Sequence, residues 1–312
     1  MKTVEDLFAG ARAGRMADIA RLVSIVENEE AQCADVMRAA HLQAGRATKL
    51  GVTGPPGAGK STLVSVLTSA YRRKVPRVAV VAVDPSSPWS GGAILGDRIR
   101  MRDSYLDAGV FIRSMSNRGQ SGGLARATRR VVNVLDAVGF DVILVETVGI
   151  GQQEIDVASV VDTVCLLTIP GAGDDIQAIK AGVIEIADIL VVNKSDRPGA
   201  EEVVLDLMQM LKLGMPRNDW RVPVIKTSAA GGTGIEELMD AVNEHRDWAA
   251  RGGEAQRRNA DAMRAEIHAL LREQVLRDLA ARLDAREVDA LVNLVVAREL
   301  DPYAAVEQLL GR

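Results

Sequence analysis

The run Gly54-Pro-Pro-Gly-Ala-Gly-Lys60-Ser61-Thr62 fits the pattern G-x-x-x-x-G-K-[ST], and nothing else in this 312-residue chain restricts its fold as tightly. A polyphosphate packs several negative charges into a small volume. A loop that holds one needs backbone N–H groups aimed inward and no side chains in the way, which Gly54, Gly57 and Gly59 permit. Lys60 then reaches the outer phosphates, and Ser61 can place its hydroxyl on Mg²⁺ while opening a helix whose N-terminus adds positive potential. The flanks agree with this reading. Lys49-Leu-Gly-Val-Thr53 reads as a short buried strand and Thr62-Leu-Val-Ser-Val-Leu67 as the start of a helix, a context that a chance glycine-rich turn would not supply. The nucleotide-binding set is therefore Gly54, Pro55, Pro56, Gly57, Ala58, Gly59, Lys60, Ser61 and Thr62.

Downstream, Asn193-Lys194-Ser195-Asp196 ends the apolar run that begins at Ile189, so it falls at the C-terminal end of a strand, where open α/β sheets bind ligands. The two oxygens of Asp196 suit the ring N–H and amino group of guanine, whereas adenine would turn a ring lone pair towards the carboxylate. Taken alone, the tetrapeptide could simply cap the next helix. Behind a phosphate loop it predicts GTP and GDP as the bound nucleotides. Thr227-Ser228-Ala229 follows the strand-like Val222-Pro-Val-Ile-Lys226, where a further base-contacting loop through Ser228 and Ala229 would fall; a plain strand-to-turn transition fits the residue types equally well.

Between 48 and about 252 apolar runs alternate with helix-period segments. Arg77–Val83, Val110–Ile112, Asp141–Val145 and Thr163–Ile169 join the runs already named. Near-continuous apolar strands belong in a sheet covered on both faces, so the fold expected is α/β, a P-loop GTPase domain with a mostly parallel central sheet. Residues 1–47 read as a helical extension, with Ile19, Leu22, Val23 and Val26 at helical spacing. Residues 253–312 read as a C-terminal helical arm, with apolar stripes at Leu270, Leu271, Val275 and Leu279 and at Leu291, Val292 and Val295, and Pro302 at the first position of a last helix. These stripes exceed what a finished domain needs for its own core, which suggests a homodimer interface; the alternative is that the helices fold back on the sheet.

Composition excludes several classes. A net charge of −4 and 3% aromatic residues leave neither a broad basic surface nor stacking platforms for nucleic acid. No apolar stretch is long enough for a membrane span and the acidic start lacks a signal-peptide pattern, so a cytoplasmic protein is expected. The three histidines, His41, His245 and His268, and the two cysteines, Cys33 and Cys165, show no metal-ligand spacing.

Two strand-end acids, Asp84 and Glu146, would project over the sheet edge beside the phosphate loop, where Mg²⁺ could take them directly or through water; a helix-capping role is the alternative for either. Gly149 follows closely and would let a backbone N–H approach the γ-phosphate and let the loop rearrange when that phosphate leaves. Gln152 and Gln153 are both candidates, by position alone, to orient the attacking water.

In order along the chain, Asp84-Pro-Ser-Ser87, Gly91-Gly-Ala-Ile-Leu-Gly-Asp-Arg98, Glu146-Thr-Val-Gly-Ile-Gly-Gln152, Pro170-Gly-Ala-Gly-Asp-Asp175 with Ile179-Lys180, and Asn193-Lys-Ser-Asp196 resemble the GTPase chaperones of adenosylcobalamin-dependent acyl-CoA mutases, the methylmalonyl-CoA mutase-associated group. The resemblance covers essentially the whole chain. It implies a homodimer through the C-terminal helices, GTP hydrolysis accelerated by the mutase, gating of cofactor loading or rescue, and an adenosyltransferase as a further partner. It also implies a magnesium shell of Ser61, Asp84, Asp97 and Glu146, transition-state charge stabilisation by Arg98 and Arg100, and a partner-responsive segment Pro170–Gly182 containing Asp174 and Lys180. The segment Arg113–Gly123 departs from the Pro-Ser-rich or Ala-Thr-Arg-Gly-His-like version usual in the group. Two other readings use the same loop: a GTPase inserting nickel into a metalloenzyme, which should gather Cys and His into a cluster, and an ATP-dependent kinase of a transport system, against which Asp196 argues.

Overall fold

The structure, a computed structural model, describes residues 2–84, 106–116, 123–147, 158–171, 185–213, 219–280 and 283–310. Among the described residues, seven strands form one sheet in the order β3-β2-β4-β1-β5-β6-β7. They are β1 (Thr48–Thr53), β2 (Val78–Asp84), β3 (Val110–Ser116), β4 (Val142–Thr147), β5 (Thr163–Thr168), β6 (Ile189–Val192) and β7 (Val224–Lys226), and every neighbouring pair is parallel. Strands β2, β3 and β4 lie on one side of β1 and β5, β6 and β7 on the other. The crevice at which a doubly wound sheet binds its ligand therefore opens at the C-terminal end of β1, where the phosphate loop begins.

Side-chain alternation sorts the strands between two faces. Val78 and Val80 of β2, with Leu50, Val52, Leu144, Cys165 and Leu167, pack under α4 (Lys60–Arg72) and α7 (Ile235–Arg251). On the opposite face Ala79, Val81 and Val83, with Phe111, Ile143 and Val145, meet α5 (Gly123–Val138) and the N-terminal helices α1 (Val4–Arg12), α2 (Met16–Glu27) and α3 (Cys33–His41). A third cluster seats α6 (Ala200–Leu213) on Leu166, Leu190 and Val192. Both faces are covered, so the strands need no polar alternation, which is why they read as continuous apolar runs.

The N-terminal helices share the main core. Ile19, Leu22, Val23 and Val26 are fully buried, each contributing about 1.5–3 kcal/mol by leaving water. Their connection to β1 is fixed by Asp136 of α5, which accepts the N–H groups of Gly45 (2.7 Å), Arg46 (3.0 Å) and Ala47 (3.0 Å) and pairs with Lys49 at 2.9 Å.

The chain divides into two compact units, 1–258 and 259–312, and the division falls inside helix α8 (Glu254–Ala280). In the second unit α9 (Ala285–Val296) is capped by Asp284, and α10 (Pro302–Leu309) by Asp301 with Pro302 at its first turn. None of the residues of α8 is buried, and Ile267, Leu271 and Val275 are more than half exposed. No helix among the described residues is long and apolar enough to cross a membrane.

Candidate active site

Three loops meet at the C-terminal edge of the sheet. The first runs from β1 to α4. Its backbone needs glycine for two separate reasons: a Cβ on Gly54 would lie 2.4 Å from the Leu167 carbonyl oxygen of β5, and Gly59, at φ 89°, would place one 2.5 Å from Nδ2 of Asn193. Lys60 opens α4 and is nearly buried. Its ammonium lies in the bow of the loop, donating to the carbonyls of Gly54 at 2.8 Å and Pro55 at 3.0 Å. Ser61 is carried on the same turn, and its Oγ donates to Oε1 of Glu146 at 2.6 Å, bringing together two of the residues expected around Mg²⁺. Thr147, next to Glu146, donates to Thr53 Oγ1 at 2.9 Å and ties the end of β4 to the end of β1 beneath them.

The second and third loops follow β6 and β7. Asn193 Nδ2 donates to the Ala58 carbonyl at 2.8 Å, while its Oδ1 accepts from Thr227 Oγ1 at 3.1 Å and from the Ala229 N–H at 3.2 Å. One amide thus joins the phosphate loop to both loops expected to read the base, a buried role that residue type alone did not disclose. Lys194 sits in the left-handed region at φ 56° and donates to the Gly57 carbonyl at 2.7 Å. Asp196 accepts from Ser228 Oγ at 2.6 Å. That hydroxyl, with backbone hydrogen bonding, holds the Asp196 carboxyl below its usual range, so it stands as an ionised acceptor pair.

Asp97, Arg98, Arg100, Gly149, Gln152 and Lys180 lie outside the described residues, as does the side chain of Asp84, which ends β2. Of the segment Pro170–Gly182 only Pro170 and Gly171 are described.

A parallel sheet whose switch-point strand feeds a glycine loop and a buried lysine, with an aspartate held ionised one loop away, defines a P-loop GTPase. Comparison with known proteins agrees and narrows the class. The profile of the family described as "Methylmalonyl Co-A mutase-associated GTPase MeaB" matches residues 19–284. A putative GTPase of Pyrococcus abyssi is 42% identical over 310 residues, covering 98% of this chain and 96% of that protein. GTPase ArgK of Escherichia coli is 35% identical, covering 98% and 96%, and the mouse protein named methylmalonic aciduria type A homolog, mitochondrial, is 34% identical, covering 98% and 79%. A solved structure described as a LAO/AO transport system kinase superposes with a TM-score of 0.72 at 29% identity, covering 99% of this chain and 97% of that one. The chain belongs to the methylmalonyl-CoA mutase-associated GTPase family, and it hydrolyses GTP.

Sequence reading passed over one constellation. Asp188, His245 and Arg258 converge at the opposite edge of the sheet, with Trp220 and Trp248 beside them. The only sequence signal was a charged residue directly before an apolar strand, which is too common to single out.

Proposed function

We propose that this GTPase is a chaperone of an adenosylcobalamin-dependent acyl-CoA mutase, methylmalonyl-CoA mutase or a related one such as 2-hydroxyisobutyryl-CoA mutase, and that nucleotide turnover gates the loading, protection or reactivation of the mutase's cofactor. The observation that carries the reading is the family match across residues 19–284, which takes in all three loops of the site. The proposed working form is a homodimer through the C-terminal helices, supported by the exposed apolar side chains Ile267, Leu271 and Val275.

Within the site, Lys60 binds the outer phosphates, exchanging the carbonyls of Gly54 and Pro55 for phosphate oxygens. Asp196 selects guanine and Ser228 orients it. Ser61 and Glu146 would hold Mg²⁺, with Asp84 and Asp97 completing the shell; adjacent hydroxyl and carboxylate oxygens are a donor set that suits a small hard cation. When bound, the ion supplies neutralisation of charge on the β- and γ-phosphates. Arg98, Arg100 and Lys180 are proposed to answer developing charge and the partner, and Gln152 to orient water.

The test is the GTPase rate with and without a purified cobalamin-dependent acyl-CoA mutase, together with the retention of mutase activity during turnover. Acceleration of hydrolysis and longer-lived mutase activity are expected. Neither effect with any acyl-CoA mutase of the same organism would overturn the chaperone reading and leave a GTPase with another client.

A further inference from the structure

At the edge of the sheet away from the nucleotide loops, a polar cluster is sealed between β5, β6, α7 and the first turns of α8. Asp188 directly precedes β6 and is almost fully buried. Every polar group it owns is engaged. Its N–H donates to the Val164 carbonyl at 2.9 Å, its carbonyl accepts from Trp220 Nε1 at 2.8 Å, and its Oδ2 accepts from the Val164 N–H at 2.9 Å. Arg258 of α8 then closes on the carboxylate in a fork, Nη2 to Oδ1 at 2.8 Å and Nη1 to Oδ2 at 3.1 Å. Nη1 also reaches the carbonyl of Asp162, just before β5, at 3.4 Å. His245 fills the remaining space. Its Nδ1 shares a hydrogen bond with Thr163 Oγ1 at 2.8 Å, and its Nε2 is 3.3 Å from Asp188 Oδ1 without hydrogen-bond alignment. Trp220 and Trp248 pack on the imidazole, with centroids 5.0 and 5.6 Å away.

Taking a guanidinium and a carboxylate out of water costs several kcal/mol, so such a pair is a costly way to add stability and a good way to fix geometry. The geometry fixed here is that of two strands. Arg258 holds the N-terminal ends of β5 and β6 together. The C-terminal ends of the same strands carry the Leu167 carbonyl, which abuts Gly54, and Asn193, whose amide holds the phosphate loop to the base loops. β6 is only four residues long and buried throughout, so a shift at Asp188 passes to Asn193 with little to absorb it.

We propose that Arg258 is a positioning residue for guanine recognition: by gripping Asp188 and the Asp162 carbonyl it sets β6 against β5, and so sets the Asn193–Asp196 loop against the phosphate loop. This rests on the reading of Asn193–Asp196 as the base site. It also makes the first turns of the C-terminal arm part of the nucleotide machinery. A guanine-reading carboxylate misplaced by a fraction of an ångström loses hydrogen-bond energy to the base while the phosphate contacts survive, so selectivity should suffer before affinity for phosphate does.

The test compares full-length Arg258→Gln and Arg258→Lys with the native protein, below the unfolding transition of each, for binding of GTP and of inosine triphosphate, which lacks the guanine amino group. Asp196→Asn is measured alongside. The preference for GTP should fall roughly threefold to tenfold in Arg258→Gln and be partly restored in Arg258→Lys, which keeps the charge and loses the fork. A lower melting temperature with unchanged preference would make Arg258 a fastening and nothing more. Should Arg258→Gln fail to fold, the lysine variant decides, and a preference equal to native overturns the proposal. An Asp196→Asn protein that keeps the native preference would instead remove the base-site reading itself, an outcome separate from either Arg258 result.

Discussion

Gly59 shows how little room the site leaves at the scale of one residue. Its φ of 89° is left-handed, and an added Cβ would meet Nδ2 of Asn193 at 2.5 Å, the atom that holds the Ala58 carbonyl. Gly59→Ala therefore meets backbone strain of about 1–2 kcal/mol and displaces the amide that joins three loops. Loss of GTP affinity by roughly tenfold or more is expected, with the fold retained by circular dichroism; isothermal titration checks it. Asp188 gives a second prediction. Burial pushes its carboxyl up, but His245, whose ring nitrogen lies 3.3 Å from Oδ1, and the Arg258 fork outweigh burial and bring it down to about 2 from an ordinary 3.8. Because the folded carboxyl titrates below the unfolded one, the contact stabilises fully above about pH 4 and its contribution is lost as pH falls towards 2, a change on the order of 2 kcal/mol. Carboxyl-carbon NMR on the folded protein should place the Asp188 midpoint below that of exposed aspartates, and a midpoint at or above 4 would contradict the pairing.

Among the elements, α8 has two characters. Its first turns carry Arg258 and Glu254, which bond to each other at 3.2 Å, and Arg258 grips Asp188. Beyond the division at 258 the helix carries exposed apolar side chains. A chain ending after Gly252 strands the buried Asp188 carboxylate without its cation, which should cost about 3 kcal/mol or more. A chain ending some residues past Arg258 should keep the stability of the 1–258 unit. Melting temperatures of the two truncations separate these outcomes, and equal values would mean that the Arg258 fork contributes nothing to holding the sheet edge.

For the whole molecule, the same longer truncation speaks to assembly. If the exposed stripe of Ile267, Leu271 and Val275 covers itself in a two-fold interface, its removal should leave a monomer that still hydrolyses GTP, and sedimentation velocity reads the change directly. A truncated protein that sediments as the full chain does would move the interface elsewhere.

Sequence by itself determined the parts of this protein that rest on local chemistry. The phosphate loop was legible because its left-handed turns call for glycine at Gly54, Gly57 and Gly59 and a lysine at position 60 can reach phosphate, and the parallel sheet because strands buried on both faces lose their polar alternation. β3 was read short, from Val110 to Ile112, and it runs to Ser116 because Arg113 and Ser114 continue the ladder beside β2 despite their polarity. Tertiary structure alone decided what depends on residues far apart in the chain. Ser61 meets Glu146 because β4 lies beside β1, Asn193 joins Ala58 and Thr227 because β6 and β7 lie beyond β5, and Arg258, at the end of the first compact unit, finds Asp188 at the start of β6. Each of these contacts spans 34 residues or more, and strand order, which no local pattern encodes, brings the partners together.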